Sequence, residues 1–264
     1  MIAHENIVAI SRTPEKLADL GVETREGDFD HATPKTYAGL FAMLFIPTDS
    51  LAPGIRTKQT IAGIDAALAG GVEHIVFLGL HGGKKVDEPH LAAAYFHIAQ
   101  HVRAKSPAWT ILNMTYFADT FAEDVEQSLE RGVQIGIGDA PINVVSRRDV
   151  GAAAAAVLAQ PEKHDGAHYI IAGPAALTGT QRAAIASTVT KKPLLYTALS
   201  EADFRGALAG AGLPEVLVNA IATLQSSFAE STMDVVSGDV QKLTGRPPQS
   251  LEEVLADIFK KSKN

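Results

Sequence analysis

Four short apolar runs recur about thirty residues apart: Ile7-Val8-Ala9-Ile10, Ala42-Met43-Leu44-Phe45-Ile46, His74-Ile75-Val76-Phe77-Leu78 and Trp109-Thr110-Ile111-Leu112. None shows the strict in/out alternation of a half-exposed strand, so each reads as a parallel strand buried on both faces. The stretches between them carry helical signals. Thr13 and Pro14 offer an N-cap and a proline at the first helical position. From about 54 to 69, Ile55, Ile61, Ile64 and Leu68 fall at roughly helical spacing, and Gly70-Gly71 closes the segment as a C-cap. A short strand over 22–25, a helix through 37–40 and a helix over 89–103 complete the alternation. Such a chain is expected to form a doubly wound α/β fold, with all four runs in one parallel sheet and helices on both faces.

Beyond the fourth run the rhythm changes. A helix over 117–131 is followed by extended pieces at 134–137 and 144–145, a helix over 149–158 and a strand over 168–171. From Thr178 onward the chain reads as mostly helical, with segments 180–189, 200–210, 214–229 and, behind a Ser250/Glu253 capping box, 251–259. The expected division is a sheet-based domain over 1–145 and a smaller, mostly helical lobe over 146–264, with strand 168–171 returning to the core.

Composition narrows the function classes. The 264 residues carry a net charge of −7 and no long basic run, which argues against nucleic acid or an anionic membrane surface as the main partner. The absence of cysteine excludes disulfides, zinc thiolates and a thiol nucleophile. No signal peptide and no apolar run of transmembrane length is visible, so a soluble cytoplasmic protein is expected, as a monomer or a homodimer.

Ser11 and Arg12 stand at the carboxyl end of the first strand, the rim where open α/β sheets bind ligands. Arg12 offers a planar fork suited to phosphate, and Lys16 adds a second positive charge one turn later; the alternative is a solvated arginine. His90, His97 and His101 share one helix face, without the supporting ligands a metal site needs. His90, at the helix start, is a candidate hydrogen-bond or proton donor. Gly82-Gly83-Lys84-Lys85 reads as a basic lid rather than a phosphate cradle, and Arg147-Arg148-Asp149 as a structural salt bridge at a helix start.

The ordered set Ser-Arg-Thr-Pro-Glu-Lys (11–16), Gly-Val-Glu-x-Arg-x-Gly-Asp-Phe-Asp (21–30), Leu-Phe-Ile-Pro-Thr (44–48), Ala-Gly-Gly-Val-Glu-His-Ile-Val-Phe (69–77), Ser-Arg-Arg-Asp (146–149) and Asp-Val-Gln-Lys-Leu-Thr-Gly (239–245) resembles the atypical short-chain dehydrogenases. Within them it is most similar to the NmrA-like family, which includes NAD(P)H:quinone oxidoreductases and triphenylmethane reductases. The resemblance implies a Rossmann-like fold binding NADPH, possibly NADH, and passing hydride to a quinone-like or other planar aromatic acceptor. It implies that Arg12 and Lys16, beside Ser11, take the adenosine 2′-phosphate and that Asp28 and Phe29 flank the adenine. Ile46, Pro47, Thr48, Gly79 and Leu80 would lie along the ribose and nicotinamide. Tyr116 and Phe117 would pack over the nicotinamide and the substrate, with Tyr116 and His90 as the catalytic candidates. Phe29, Tyr116 and Phe117 read equally well as core.

The sequence also departs from the family pattern. The family's first strand and Gly-x-x-Gly-x-x-Gly turn, whose amides hold the pyrophosphate, have no counterpart here, about twenty residues in all. Either the sequence is part of a longer one or the diphosphate clamp has been lost. The neighbours of Val8 and Phe45 would be left unpaired in a sheet lacking that strand, which favours the first account. Without the loop, weak NADPH binding and slow quinone reduction are expected. The Tyr-x-x-x-Lys pair of typical short-chain dehydrogenases is absent, as it is in the quinone-reductase type. The family's Arg-Asn reads Asn113-Met114, and Ala94 stands where it has a glutamate. A cofactor-sensing regulatory protein and a relative without cofactor binding are the alternative functions.

Overall fold

The computed structural model describes residues 2–50, 52–86 and 91–261. Its centre is a four-stranded parallel sheet of β3 (Ala42–Phe45), β4 (His74–Leu80), β5 (Ala108–Met114) and β9 (Ala167–Ile171), in the order β3-β4-β5-β9. All seven residues of β4 are buried, so both faces of the sheet are covered. Helices α2 (Ile55–Ala69) and α3 (Leu91–Lys105) pack on each other, and α3 lies against β4 and β5. Helix α5 (Arg147–Ala159) touches β3, β4, β5 and β9. Phe45, Ile75, Phe77, Ile98, Ile111 and Ile171 are among the fully buried side chains that fill the layers between them. The α/β class is the one the apolar runs dictate.

The single sheet is not formed. β1 (Val8–Ser11) pairs in parallel with β2 (Glu23–Glu26) as a separate two-stranded sheet. Among the described residues no strand pairs with the second edge of β1 or of β3. Side chains of Ile10 on one strand and Met43 and Leu44 on the other line a shared cavity instead. Paired strands lie about 4.8 Å apart, which leaves no room for such a cavity between them.

The segment after β1 also differs from expectation. Pro14–Leu20 is a 3₁₀ turn rather than an α-helix. Thr13 makes no side-chain cap; its own N–H donates to Ser11 Oγ at 3.2 Å. Helix α1 is a single turn, Pro34–Tyr37.

In the second half of the chain the extended pieces expected at 134–137 and 144–145 are strands, and among the described residues three further short strands join them. β6 (Tyr116–Phe117) and β10 (Ala176–Leu177) flank β8 (Ile142–Val145). β7 (Val133–Ile137) pairs in parallel with β11 (Leu195–Leu199). Around them lie α4 (Ala118–Ser128), α6 (Gly179–Thr190), α7 (Glu201–Gly210), α8 (Glu215–Ala229), α9 (Asp239–Thr244) and α10 (Leu251–Lys261). The expected capping box precedes α10, Ser250 Oγ accepting from Glu253 N–H and Glu253 Oε2 from Ser250 N–H.

Asp149 is structural, though its ion-pair partner is not one of the adjacent arginines. It is fully buried and accepts from Ser146 Oγ and Gln249 N–H, each at 2.8 Å, while Arg246 Nη1 lies 2.6 Å from Oδ1. Arg147 instead meets Glu123 at 3.3 Å. No described helix is long and apolar enough to cross a membrane.

Candidate functional site

The carboxyl ends of β1 and β3 open on a cavity of about 320 Å³, lined by Ser11, Arg12, Asp28, Phe29, Ile46 and Thr48 among others. Arg12 is exposed and makes no hydrogen bond or ion pair among the described residues, so its donors point free at the mouth. Ser11 Oγ is occupied by Thr13 N–H, and Asp28 accepts from Asp30 N–H at 3.0 Å. Phe29 does two things at once: it lines the cavity and stacks on Phe45, ring centroids 5.9 Å apart. Thr48 Oγ1 donates to Gln59 Oε1 and Gln59 Nε2 to Asp30 Oδ2, both at 2.8 Å, a chain that fixes one wall. Lys16 is exposed on the 3₁₀ turn, outside the lining, and half-buried Pro47 is outside it too.

Gly79 and Leu80 are buried at the end of β4. A Cβ at residue 79 would fall 2.0 Å from Asn113 Oδ1, so any other residue there would have to displace the Asn113 side chain. Asn113 Nδ2 in turn donates to His168 Nε2 at 2.8 Å, and burial together with His168 lowers the pKa of His81, just past the strand. The sequence reading did not single out this Asn113–His168–His81 group, although His81 directly follows an apolar strand.

Tyr116, two residues beyond β5, sits at a second cavity of about 470 Å³. Its ring meets Phe228 edge-on at 5.2 Å, and its hydroxyl is hydrogen-bonded to Asp124. Burial, ahead of the charges of Asp124 and Glu123, holds the phenol far above its usual pKa. Burial, ahead of Glu123, pushes the Asp124 carboxyl up to about 6. Arg182, buried on α6, borders the same cavity. Phe117 is not part of it: Phe117 pairs with Val145, and Arg147 lies over its ring at 5.4 Å.

His90 lies outside the described residues. His101 Nε2 meets Asp65 Oδ1 at 2.6 Å and His97 packs edge-on to Phe96; among the described residues no three side chains form a metal-binding group. The basic loop is tied down by Lys84, whose Nζ lies 2.6 Å from Glu230 Oε2.

The model of the NmrA-like family matches residues 8–255. The chain belongs to the NmrA-like family. Among curated relatives it is 33% identical over 261 residues to quinone oxidoreductase 2 of Escherichia coli, covering 96% of this chain and 89% of that protein. Its fold superposes on the NADPH-dependent quinone oxidoreductase of E. coli crystallised with NADPH, with a TM-score of 0.89 at 29% identity over 98% of this chain and 92% of the other. The triphenylmethane reductase of Citrobacter sp. in complex with NADP(H) gives 0.87 at 27% identity, over 97% and 92%. NmrA-like relatives of this kind share the chain from end to end rather than one motif.

Proposed function

We propose that this NmrA-like protein is an NAD(P)H-dependent oxidoreductase that prefers NADPH and reduces a quinone-like or other planar aromatic acceptor. The named relatives are a quinone oxidoreductase and a triphenylmethane reductase, two of them crystallised with the reduced or oxidised phosphorylated cofactor. The observation that carries the reading to this chain is the unpaired Arg12 guanidinium at the mouth of the β1/β3 cavity. A solvated cation there suits a 2′-phosphate, and Phe29 supplies an apolar wall for a purine. The residues fit the adenosine end of the cofactor. With Arg12 given to the 2′-phosphate, no basic side chain among the described lining residues is left for the diphosphate.

Bound reduced nicotinamide supplies a hydride, two electrons and one proton; the second proton of a hydroquinone comes from water. The chain's own residues hold the two partners and exclude solvent, since no tyrosine–lysine acid/base pair is present. Nicotinamide fluorescence titration followed by addition of a naphthoquinone tests this. The reading expects NADPH to bind and to be oxidised only when protein and quinone are both present. Binding without oxidation would favour a cofactor-sensing protein instead.

A further inference from the structure

The second cavity contains a feature that folding alone does not require. Arg182 is only 8% exposed, and its Nε is buried with no hydrogen-bond partner. One Nη donates to the Leu177 carbonyl, and the guanidinium lies over the Phe121 ring at 5.6 Å. Asp139, whose charge favours the cation, is instead engaged by the N–H and hydroxyl of Thr180. Among the described residues no carboxylate forms an ion pair with Arg182. A guanidinium removed from water without a counter-charge is costly, and burial lowers its pKa accordingly.

The space beside it is large enough for a small aromatic molecule: about 470 Å³, walled by Phe121, Phe204, Leu208 and Phe228. One wall is held rigidly. Tyr196 donates to the Gly138 carbonyl at 2.6 Å, and a Cβ on Gly136 would fall 2.3 Å from its hydroxyl. Tyr116 and Asp124, hydrogen-bonded to each other, also line the cavity.

We propose that this cavity binds the acceptor, as a planar and largely apolar molecule whose anionic oxygen is set against the Arg182 guanidinium. The proposal rests on the reductase reading and specifies its substrate class. An oxygen anion held where the Arg182 guanidinium borders the cavity would supply the missing counter-charge, while the aromatic walls accept the ring faces. Acceptors with an ionised hydroxyl or carboxyl are thereby favoured over neutral ones of the same shape.

Calorimetry without cofactor tests the site directly, with a hydroxynaphthoquinone that is ionised at neutral pH and the neutral methylnaphthoquinone as probes. The ionised probe is expected to bind at least about tenfold more tightly. Arg182→Met should erase that preference while leaving the neutral probe within about threefold, which also reports an intact cavity. Arg182→Lys should keep part of the preference, and Leu208→Trp, which fills the space, should weaken both probes. If Arg182→Met does not fold, the lysine and tryptophan variants decide. Absence of any preference in the unaltered protein, or equal affinities across all variants, would overturn the proposal. Arg182-dependent binding with no consumption of NADPH would leave the site standing and overturn the reductase reading. NADPH consumption with binding indifferent to Arg182 would do the reverse.

Discussion

The two cavities are built in opposite ways. The one between β1 and β3 keeps its cation, Arg12, in solvent at the mouth, beside an apolar wall of Phe29 stacked on Phe45. The one beyond Tyr116 keeps its cation, Arg182, buried among aromatic rings with a donor unused. A solvated guanidinium carries no desolvation cost before a ligand arrives and suits a multiply charged, hydrated phosphate. A buried one has already lost its water and selects a ligand that brings both an apolar body and a charge. On the reading proposed above, the contrast separates the roles: cofactor recognition at the sheet rim, acceptor recognition in the second half of the chain.

That separation can be broken by substitution. The largest effect is expected for Phe45→Ala, which deletes a fully buried ring and the stacking partner of Phe29. It should cost about 3–5 kcal/mol of stability by denaturant unfolding. In the folded fraction NADPH binding should fall, while binding of the ionised naphthoquinone persists.

The next effect lies on the other side. Folding raises the Asp124 carboxyl from 3.8 to about 6. A carboxyl whose folded pKa lies above its unfolded value favours folding while protonated, and that contribution is lost as pH rises from about 4 through about 6. Asp124→Asn should flatten this dependence and raise stability at neutral pH by about 1–3 kcal/mol, an upper range set by the shift itself. Thermal melts at acid and neutral pH check it, and cofactor binding should not change.

The smallest effect belongs to Lys84→Ala. Its partner Glu230 and Lys84 itself are both more than a third exposed, so the ion pair should contribute less than about 1 kcal/mol. A large loss of activity in that variant would mean that the loop, rather than Arg12, engages the cofactor's phosphates.

How much of this was legible in the sequence follows the same division. β3, β4 and β5 could be read because strands buried on both faces keep their apolar runs unbroken. Arg12 could be read because its place at a strand end follows from its immediate neighbours. β11 could not: three of its five residues, among them Leu195 at 71% exposure, face solvent, so it carries no buried-strand pattern. The separation of β1 from β3 could not be read either, because the apolar run of β1 specifies a strand but not its partner. Thr13-Pro14 carried a helix-start signal, yet the Thr13 side chain caps nothing, its N–H donates back to Ser11 Oγ, and only a 3₁₀ turn formed. Arg182 and Asp124 are 58 residues apart, on α6 and α4, and only the packing of those helices around β7 and β11 brings them to one cavity. Phe117, adjacent to Tyr116 and expected beside it in the site, faces Arg147 because successive strand residues point to opposite sides.

The central claim is that Arg12 reads the 2′-phosphate of NADPH, and parallel titrations of NADPH and NADH with the unaltered protein and Arg12→Ala test it most directly. Loss of a charge-assisted contact to phosphate is worth about 1.5–3 kcal/mol, so NADPH affinity should fall roughly ten- to hundredfold while NADH affinity stays nearly constant. Equal losses for both cofactors, or no loss for either, would contradict it.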